Sequence, residues 1–114
     1  MIYGPSRLYE GDWENDVKHG RGIEITKNGG VYEGRYVNGK PEGFGTFHWT
    51  NGEVYEGEWK NGLKHGAGTW KGVKDETYQG EWKDGKAEGY GVHTWRNGKE
   101  IIFNKERFKI FNRR

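Results

Sequence analysis

The sequence predicts an all-β fold: a single-layer, curved and twisted antiparallel meander of four consecutive β-hairpins, solenoid-like, with a C-terminal capping segment. Two observations carry this prediction. Four similar segments align without a gap, and the tyrosines that open them lie 23 residues apart, at Tyr9, Tyr32, Tyr55 and Tyr78. Within each segment, aromatic residues or glycine alternate with charged residues, as expected of half-exposed strands. A fixed period of this size indicates stacked repeats, each of which contacts mainly its neighbours.

This period also predicts the division of the chain. We expect a lead-in, four repeats and a tail, with the boundaries 1–8, 9–31, 32–54, 55–77, 78–100 and 101–114. Four hairpins supply about eight strands, and at roughly 4.8 Å per strand the sheet would extend on the order of 40 Å.

Each repeat is predicted to be one hairpin, and the third repeat is representative. Its first strand is "YEGEW", beginning at Tyr55, its turn is "NGLK", beginning at Asn61, and its return strand contains "GAGTW". Asn-Gly and Asp-Gly favour tight turns because both residues adopt positive φ at low cost. A second Asn-Gly turn links most repeats. The third link, "GVKDET" from Gly72, lacks this dipeptide, and we expect it to be looser.

Glycines and aromatic residues together predict how the strands of a hairpin face each other. The predicted register places Tyr55 opposite Trp70, Gly57 opposite Gly68, and Trp59 opposite Gly66. Glycine normally weakens a strand, and an aromatic ring that covers strand glycines compensates for this loss. We therefore interpret the glycines and the rings as one structural unit on one face of the sheet.

The composition limits the classes of protein. Only 31% of the residues are hydrophobic and 32% are charged, which would favour disorder, but 16% are aromatic and can bury large areas. The absence of cysteine excludes disulfides, thiolate metal sites and thiol catalysis. The sequence has no apolar run of about 20 residues, and its start lacks the apolar core of a secretory signal. We therefore expect a soluble cytosolic protein.

Charge is distributed unevenly along the chain. Residues 1–98 carry a net charge of −2 and residues 99–114 a net charge of +4. A nucleic-acid-binding body needs a basic face, so this slightly acidic body predicts no nucleic-acid partner.

The repeated residues resemble the membrane occupation and recognition nexus (MORN) repeat, with its pattern of Tyr-x-Gly-x-Trp, a turn glycine and Gly-x-Gly. The resemblance extends over residues 9–100. It departs from the pattern at Asp16, which replaces a turn glycine, and at Tyr36, which replaces the tryptophan. The matching residues are Tyr9, Gly11, Trp13, Gly20 and Gly22; Tyr32, Gly34, Gly39, Gly43 and Gly45; Tyr55, Gly57, Trp59, Gly62, Gly66 and Gly68; and Tyr78, Gly80, Trp82, Gly85, Gly89 and Gly91. The glycine-free segment from Ile101 is expected to be a cap, formed by a strand or by a short amphipathic helix.

The resemblance implies a non-catalytic scaffold. Members of this family occur in cilia, basal complexes and other cytoskeletal structures, and some bind a partner peptide or helix along the groove of the sheet. Some dimerise, and phosphoinositide binding has been proposed for the repeat. We therefore expect a cytoplasmic protein, associated with the cytoskeleton or a cilium or peripheral at a membrane.

No catalytic site, metal site or cofactor is predicted. Ser6 is the only serine, and acidic pairs such as Glu56 and Glu58 recur with the repeat, as a solvated strand face would. His19 and His65 occupy the same repeat position, but two repeats separate them by roughly 19 Å, too far to share a metal ion.

Aromatic residues beyond the Gly-x-Gly motif are the candidates for binding a partner. We expect them on the same face as the tyrosine rings. Two interpretations stay open: packing between repeats, or an exposed aromatic groove that receives a partner peptide or helix. In the second interpretation the predicted contact residues are Phe47, Trp49, Tyr55, Trp59, Trp70 and Trp95.

The basic tail provides an alternative function. Its cations are Lys105, Arg107, Lys109, Arg113 and Arg114, interspersed with apolar residues. They are either solvated side chains of the cap or a contact for anionic lipid or an acidic partner. A lipid contact would make the protein a membrane-surface adaptor. A further alternative is a structural unit that self-associates, as a homodimer or end to end, through its strand edges.

Overall fold

The fold is one open antiparallel sheet in which each strand pairs with the strands next to it in sequence. The computed structural model describes residues 8–103 and, beyond them, the backbone of residues 108–112. Within these described residues the strands number ten: β1 Leu8–Glu14, β2 Val17–Ile25, β3 Val31–Val37, β4 Lys40–His48, β5 Val54–Lys60, β6 Leu63–Lys71, β7 Thr77–Lys83, β8 Lys86–Thr94, β9 Lys99–Phe103 and β10 Phe108–Asn112. The molecule measures 52 × 25 × 18 Å. The predicted all-β meander is confirmed.

The sheet has two strands more than the predicted eight because the C-terminal segment forms a fifth hairpin. β9 pairs with β8, with Ile102 opposite Val92, and β10 pairs with β9, with Phe108 opposite Phe103. Of the two interpretations of the cap, the strand is therefore correct. The predicted lipid-binding cations lie outside the part of the chain whose side chains are described.

The hairpin turns have the predicted two-residue form. In the third repeat Lys60 pairs with Leu63, and the residues between them, Asn61 and Gly62, have φ values of 52° and 85°. Positive φ at both positions characterises the type I′ turn, whose twist matches that of the flanking strands.

The third link, expected to be looser, keeps only one of the two backbone hydrogen bonds that close each of the other links. The amide of Gly72 donates to the carbonyl of Glu76 at 2.7 Å, and in the second link Trp49 donates to Glu53 at 2.9 Å. Asp75 adopts a φ of 62° in this link and so makes the turn without glycine.

A row of directly paired glycines crosses the sheet. In order it contains Gly11, Gly22, Gly34, Gly45, Gly57, Gly68, Gly80 and Gly91, and it ends at Phe103. One tyrosine ring covers each hairpin's pair of glycines: a Cβ built on Gly68 would lie within 2.6 Å of ring atom Cε1 of Tyr55. The prediction that rings cover the glycines is thus confirmed, and no side chain larger than hydrogen fits beneath the ring.

The predicted pairing of Trp59 with Gly66 is wrong. Tyr55 faces Trp70 and Gly57 faces Gly68 as predicted, but a β-bulge follows, and Trp59 pairs with Lys64. Gly66, with a φ of 63°, instead lies opposite Trp82 of the next repeat. The tight two-residue turn leaves β6 with two residues more than its partner strand, and the bulge accommodates them.

The core consists of aromatic rings on one face, which we call the ring face; the opposite face is the reverse face. Tyr32, Tyr36 and Tyr55 are at most 2% exposed, and Trp59 is 8% exposed. Each repeat after the first contributes a ring that packs edge-on against the tyrosine of the preceding repeat, as Trp59 does against Tyr32 at 5.3 Å between centroids. Such pairs contribute about 0.5–1.5 kcal/mol beyond the area they bury.

Hydrogen bonds fix the orientation of these rings. The indole of Trp59 donates to the carbonyl of Gly45 at 3.0 Å, and the hydroxyls of Tyr32 and Tyr55 donate to the carbonyls of Arg35 and Glu58. A single-layer sheet thus obtains a satisfied core from rings that lie along its own backbone. Within residues 8–103 and 108–112, no helix is long and apolar enough to cross a lipid bilayer.

Candidate functional site

Phe47 and Trp49 form an aromatic pair at the end of β4. Phe47 lies on the ring face, because it pairs with Tyr32 on one side and with Tyr55 on the other. Its ring centroid lies 4.6 Å from that of Trp49, and both side chains remain only half-buried. The predicted face of these residues is therefore confirmed, and part of each ring stays in contact with solvent.

The pair borders a hollow of about 430 Å³ on the ring face, hereafter the ring-face hollow. Tyr32, Phe47, Trp49 and Trp59 supply its aromatic lining, and Lys64 supplies a cation. This volume lies within the range of about 300–1,000 Å³ that is typical of ligand-binding pockets.

The predicted contact residues have different locations. Tyr55 is 0% exposed and therefore supports the floor of the hollow without reaching its surface. Trp59 lines the hollow although little of its own surface is exposed. Trp70 lies further along the ring face, where its indole donates to the Glu53 carboxylate at 3.4 Å.

Trp95 belongs to a different cluster, near the C-terminal end of the sheet. Its ring stacks on His93 with centroids 4.2 Å apart, and the Nε2 atom of His93 lies 2.6 Å from a carboxylate oxygen of Glu76. The structure therefore brings together Phe47, Trp49 and Trp59 but leaves Trp95 separate from them.

Lys64 is the residue of the hollow that sequence reasoning missed. Its Nζ atom lies 5.1 Å from the ring centroids of both Trp49 and Trp82, within the range of cation–π attraction. Burial lowers the pKa of Lys64 below its usual value, while the nearby Glu53 opposes this shift. The bulge is what brings Lys64 opposite Trp59; the predicted register placed it in the turn.

A buried acid was also missed at the other end of the hollow. Glu24 is 6% exposed; its carboxylate accepts a hydrogen bond of 2.8 Å from the hydroxyl of Tyr36 and pairs with Lys18 at 3.0 Å. Burial, and next this hydrogen bond, raise the pKa of Tyr36 well above its usual value. No periodicity points to Glu24, because the same position holds an aromatic ring in each of the next two repeats.

A second hollow, of about 620 Å³, lies on the reverse face. Phe44, Ala67 and Tyr90 line it, and Phe44 and Tyr90 are 63% and 54% exposed. Its floor is the backbone of the glycine row, so it presents fewer rings to a ligand than the ring-face hollow does.

Among residues 8–103, no group of three or more His, Asp or Glu side chains could hold a metal ion. The ionisable groups of the ring face form pairs or lie against rings, an arrangement suited to recognition by shape and charge.

Comparison with known families identifies the repeat. The family model described as MORN repeat matches the chain four times, over residues 9–31, 32–54, 55–75 and 78–100. The chain belongs to the MORN repeat family. The third match ends at residue 75, within the link that lacks Asn-Gly. No curated protein matches the sequence. MORN repeats are generally protein- or membrane-interaction modules, and the repeat itself is non-enzymatic.

Proposed function

We propose that this MORN protein is a non-catalytic scaffold that binds a peptide or helical segment of a partner protein in the ring-face hollow. One observation carries the proposal: Phe47 and Trp49 remain half-buried beside a hollow that is already floored by rings. An apolar side chain placed there would gain roughly 25 cal/mol for each Å² of apolar surface removed from water. Aromatic residues around a concave centre are the usual anchors of protein interfaces.

The test compares one substitution on each face. Trp49→Ala removes a wall of the ring-face hollow, and Phe44→Ala removes an exposed ring of similar type from the reverse face. Peptides are selected on the wild-type protein from a displayed library of random sequences, and their dissociation constants are then measured for all three proteins. Circular dichroism verifies that each variant is folded.

We expect Phe44→Ala to bind the selected peptides like the wild type and Trp49→Ala to bind them at least about tenfold more weakly. Equal binding by Trp49→Ala would contradict the proposal. Loss of binding in Phe44→Ala alone would identify the reverse face as the site.

Self-association is a second candidate, favoured by the edge strand β1. Trp13 is 58% exposed, whereas the equivalent Trp59 is 8% exposed because the preceding repeat covers it. A strand added to β1 would bury Trp13 in the same way. Sedimentation equilibrium tests this candidate. A molecular mass that rises with protein concentration in the wild type, together with a Trp13→Ala variant that stays monomeric, would support it.

Binding of anionic lipid through the basic tail stays a prediction. Its test is cosedimentation with phosphatidylserine vesicles, which Lys105→Glu together with Arg107→Glu should weaken. A cytoplasmic location, in a cytoskeletal or ciliary assembly or peripheral at a membrane, is likewise a proposal.

A further inference from the structure

The ring-face hollow contains a cation without a matching carboxylate. Lys64 is half-buried, and its Nζ atom lies over three rings, those of Trp49 and Trp82 at 5.1 Å and that of Tyr55 at 5.7 Å. No ion pair of 4.0 Å or less involves Lys64 within residues 8–103. The nearby acid, Glu53, accepts a hydrogen bond from Trp70 and acts on Lys64 only at longer range.

In the first repeat, the lysine equivalent to Lys64 is paired with a carboxylate. Lys18 occupies the place of Lys64 two repeats earlier and also lies over two rings, at 5.6 and 5.7 Å from their centroids. There the Glu24 carboxylate lies 3.0 Å from Lys18 Nζ. In the third repeat the position of Glu24 is occupied by Trp70, so among residues 8–103 the cation and the rings are present without an acid at this position.

The surroundings of Lys64 favour an added carboxylate. Ring faces attract the ammonium group, but they compensate only in part for the water that burial removes from it. A carboxylate that approached Nζ inside the hollow would form a charge-assisted hydrogen bond, and low local dielectric makes such a bond stronger than one in water. A partner lysine or arginine at the same place would be repelled.

Building on the proposed function, we propose that the partner segment carries an aspartate or glutamate that pairs with Lys64, next to apolar side chains that contact Trp49 and Phe47. The acid provides selectivity and the rings provide buried area. Charge is distributed unevenly along the hollow. The Glu24 carboxylate that lines one part of it is paired with Lys18, so the positive charge of Lys64 stays uncompensated in the other part. A partner segment with an acid at one end of an apolar stretch would therefore dock in one orientation.

The test uses Lys64→Met, which keeps the length and apolar stem of the side chain and removes its charge. Lys60→Met is the matched control. Lys60 is an exposed lysine on the same hairpin, and its substitution by methionine changes the net charge of the protein by the same amount. Random displayed peptides are selected separately on the wild type and on both variants. Peptides from the wild-type pool are then synthesised with each Asp or Glu in turn replaced by its amide.

We expect an excess of Asp and Glu in the pools from the wild type and from Lys60→Met, and none in the pool from Lys64→Met. Replacing the critical acid by its amide should weaken binding to the wild type about tenfold to a hundredfold and should leave binding to Lys64→Met unchanged.

Two results would overturn the inference: a wild-type pool without an acidic excess, or an amide replacement that weakens binding to Lys64→Met as much as to the wild type. Either result leaves the proposed function standing if Trp49→Ala still abolishes binding. Failure to select any ring-face binder would instead overturn the proposed function and the inference with it.

Discussion

Replacing Gly68 by alanine tests whether the glycine row exists to accommodate tyrosine rings. A Cβ on Gly68 would lie 2.5 Å from ring atom Cζ of Tyr55 and closer still to the hydroxyl oxygen, where ordinary contacts begin near 3.4 Å. Tyr55 is 0% exposed and is held edge-on between Trp59 and Trp82, each with its centroid 5.2 Å away. The ring therefore has no free space into which it can move.

The expected cost of Gly68→Ala has two parts. Forcing extra volume into a packed core costs about 1–3 kcal/mol. Displacing the ring also removes the 3.0 Å hydrogen bond from Tyr55 to the Glu58 carbonyl, which adds about 0.5–1.5 kcal/mol. The two parts sum to about 1.5–4.5 kcal/mol. Since about 1 kcal/mol shifts the melting temperature by about 4 °C at this chain length, we expect a decrease of about 6–18 °C.

Circular dichroism during thermal unfolding measures this decrease, and two further variants identify its cause. Tyr55→Phe removes the hydroxyl nearest to the new methyl group, so the cost of Gly68→Ala should be smaller in the Tyr55→Phe background. Gly57→Ala should be rescued less. Its Cβ would also lie 2.7 Å from the Tyr55 hydroxyl, but it would strike the backbone of Gly68 and, at 2.7 Å, the carbonyl oxygen of Ala67, and Tyr55→Phe leaves both backbone contacts in place.

If no ring restricted this position, Gly68→Ala would change the stability in the opposite direction. Alanine in place of glycine normally stabilises a compatible backbone by about 0.4–1 kcal/mol, because it restricts the unfolded chain. A melting temperature that is unchanged or higher in Gly68→Ala would therefore refute the idea that the ring requires a glycine beneath it.

Three further predictions concern the ring face. Burial raises the pKa of Tyr32 and of Tyr55 from 10.0 to about 12, so between these pH values both hydroxyls stay protonated in the folded protein and ionise in the unfolded chain. The free energy of unfolding should therefore fall between pH 10 and 12, by about 1.4 kcal/mol per pH unit for each residue. Urea unfolding across this pH range measures the fall. Trp59→Ala should destabilise the fold by about 3–5 kcal/mol and Trp13→Ala by less than about 1.5 kcal/mol, since Trp13 is 58% exposed; equal losses in urea unfolding would contradict this. Lys18→Met should destabilise the fold by about 1.5–3 kcal/mol because it removes the 3.0 Å charge-assisted hydrogen bond to the buried Glu24 carboxylate, and an unchanged urea midpoint would contradict that account.

The local character of the fold explains why so much of it could be predicted. Each hairpin depends on a turn such as Asn61-Gly62 and on alternation within a few residues, and both are visible in one repeat. The bulge was missed because it shifts the register by two residues. A shift of two keeps every side chain on its predicted face and changes only the residue opposite to it. Trp59 therefore has the predicted face and an unpredicted partner, Lys64.

The same distinction separates what the fold needs from what the surface can vary. Packing within the sheet requires the tyrosines, the glycines and the stacked rings. The remaining ring-face positions are therefore the ones that can differ between repeats. The position fifteen residues after each opening tyrosine holds Glu24, Phe47, Trp70 and His93, and the position nine residues after it holds Lys18, Pro41, Lys64 and Ala87. The pair in the first repeat forms an internal ion pair, whereas the third repeat keeps the lysine and replaces the acid by tryptophan. On the proposed pairing of Lys64 with a partner acid, a single exchange at these positions separates a repeat that is paired internally from one that binds a partner, without altering a residue that the hairpin needs.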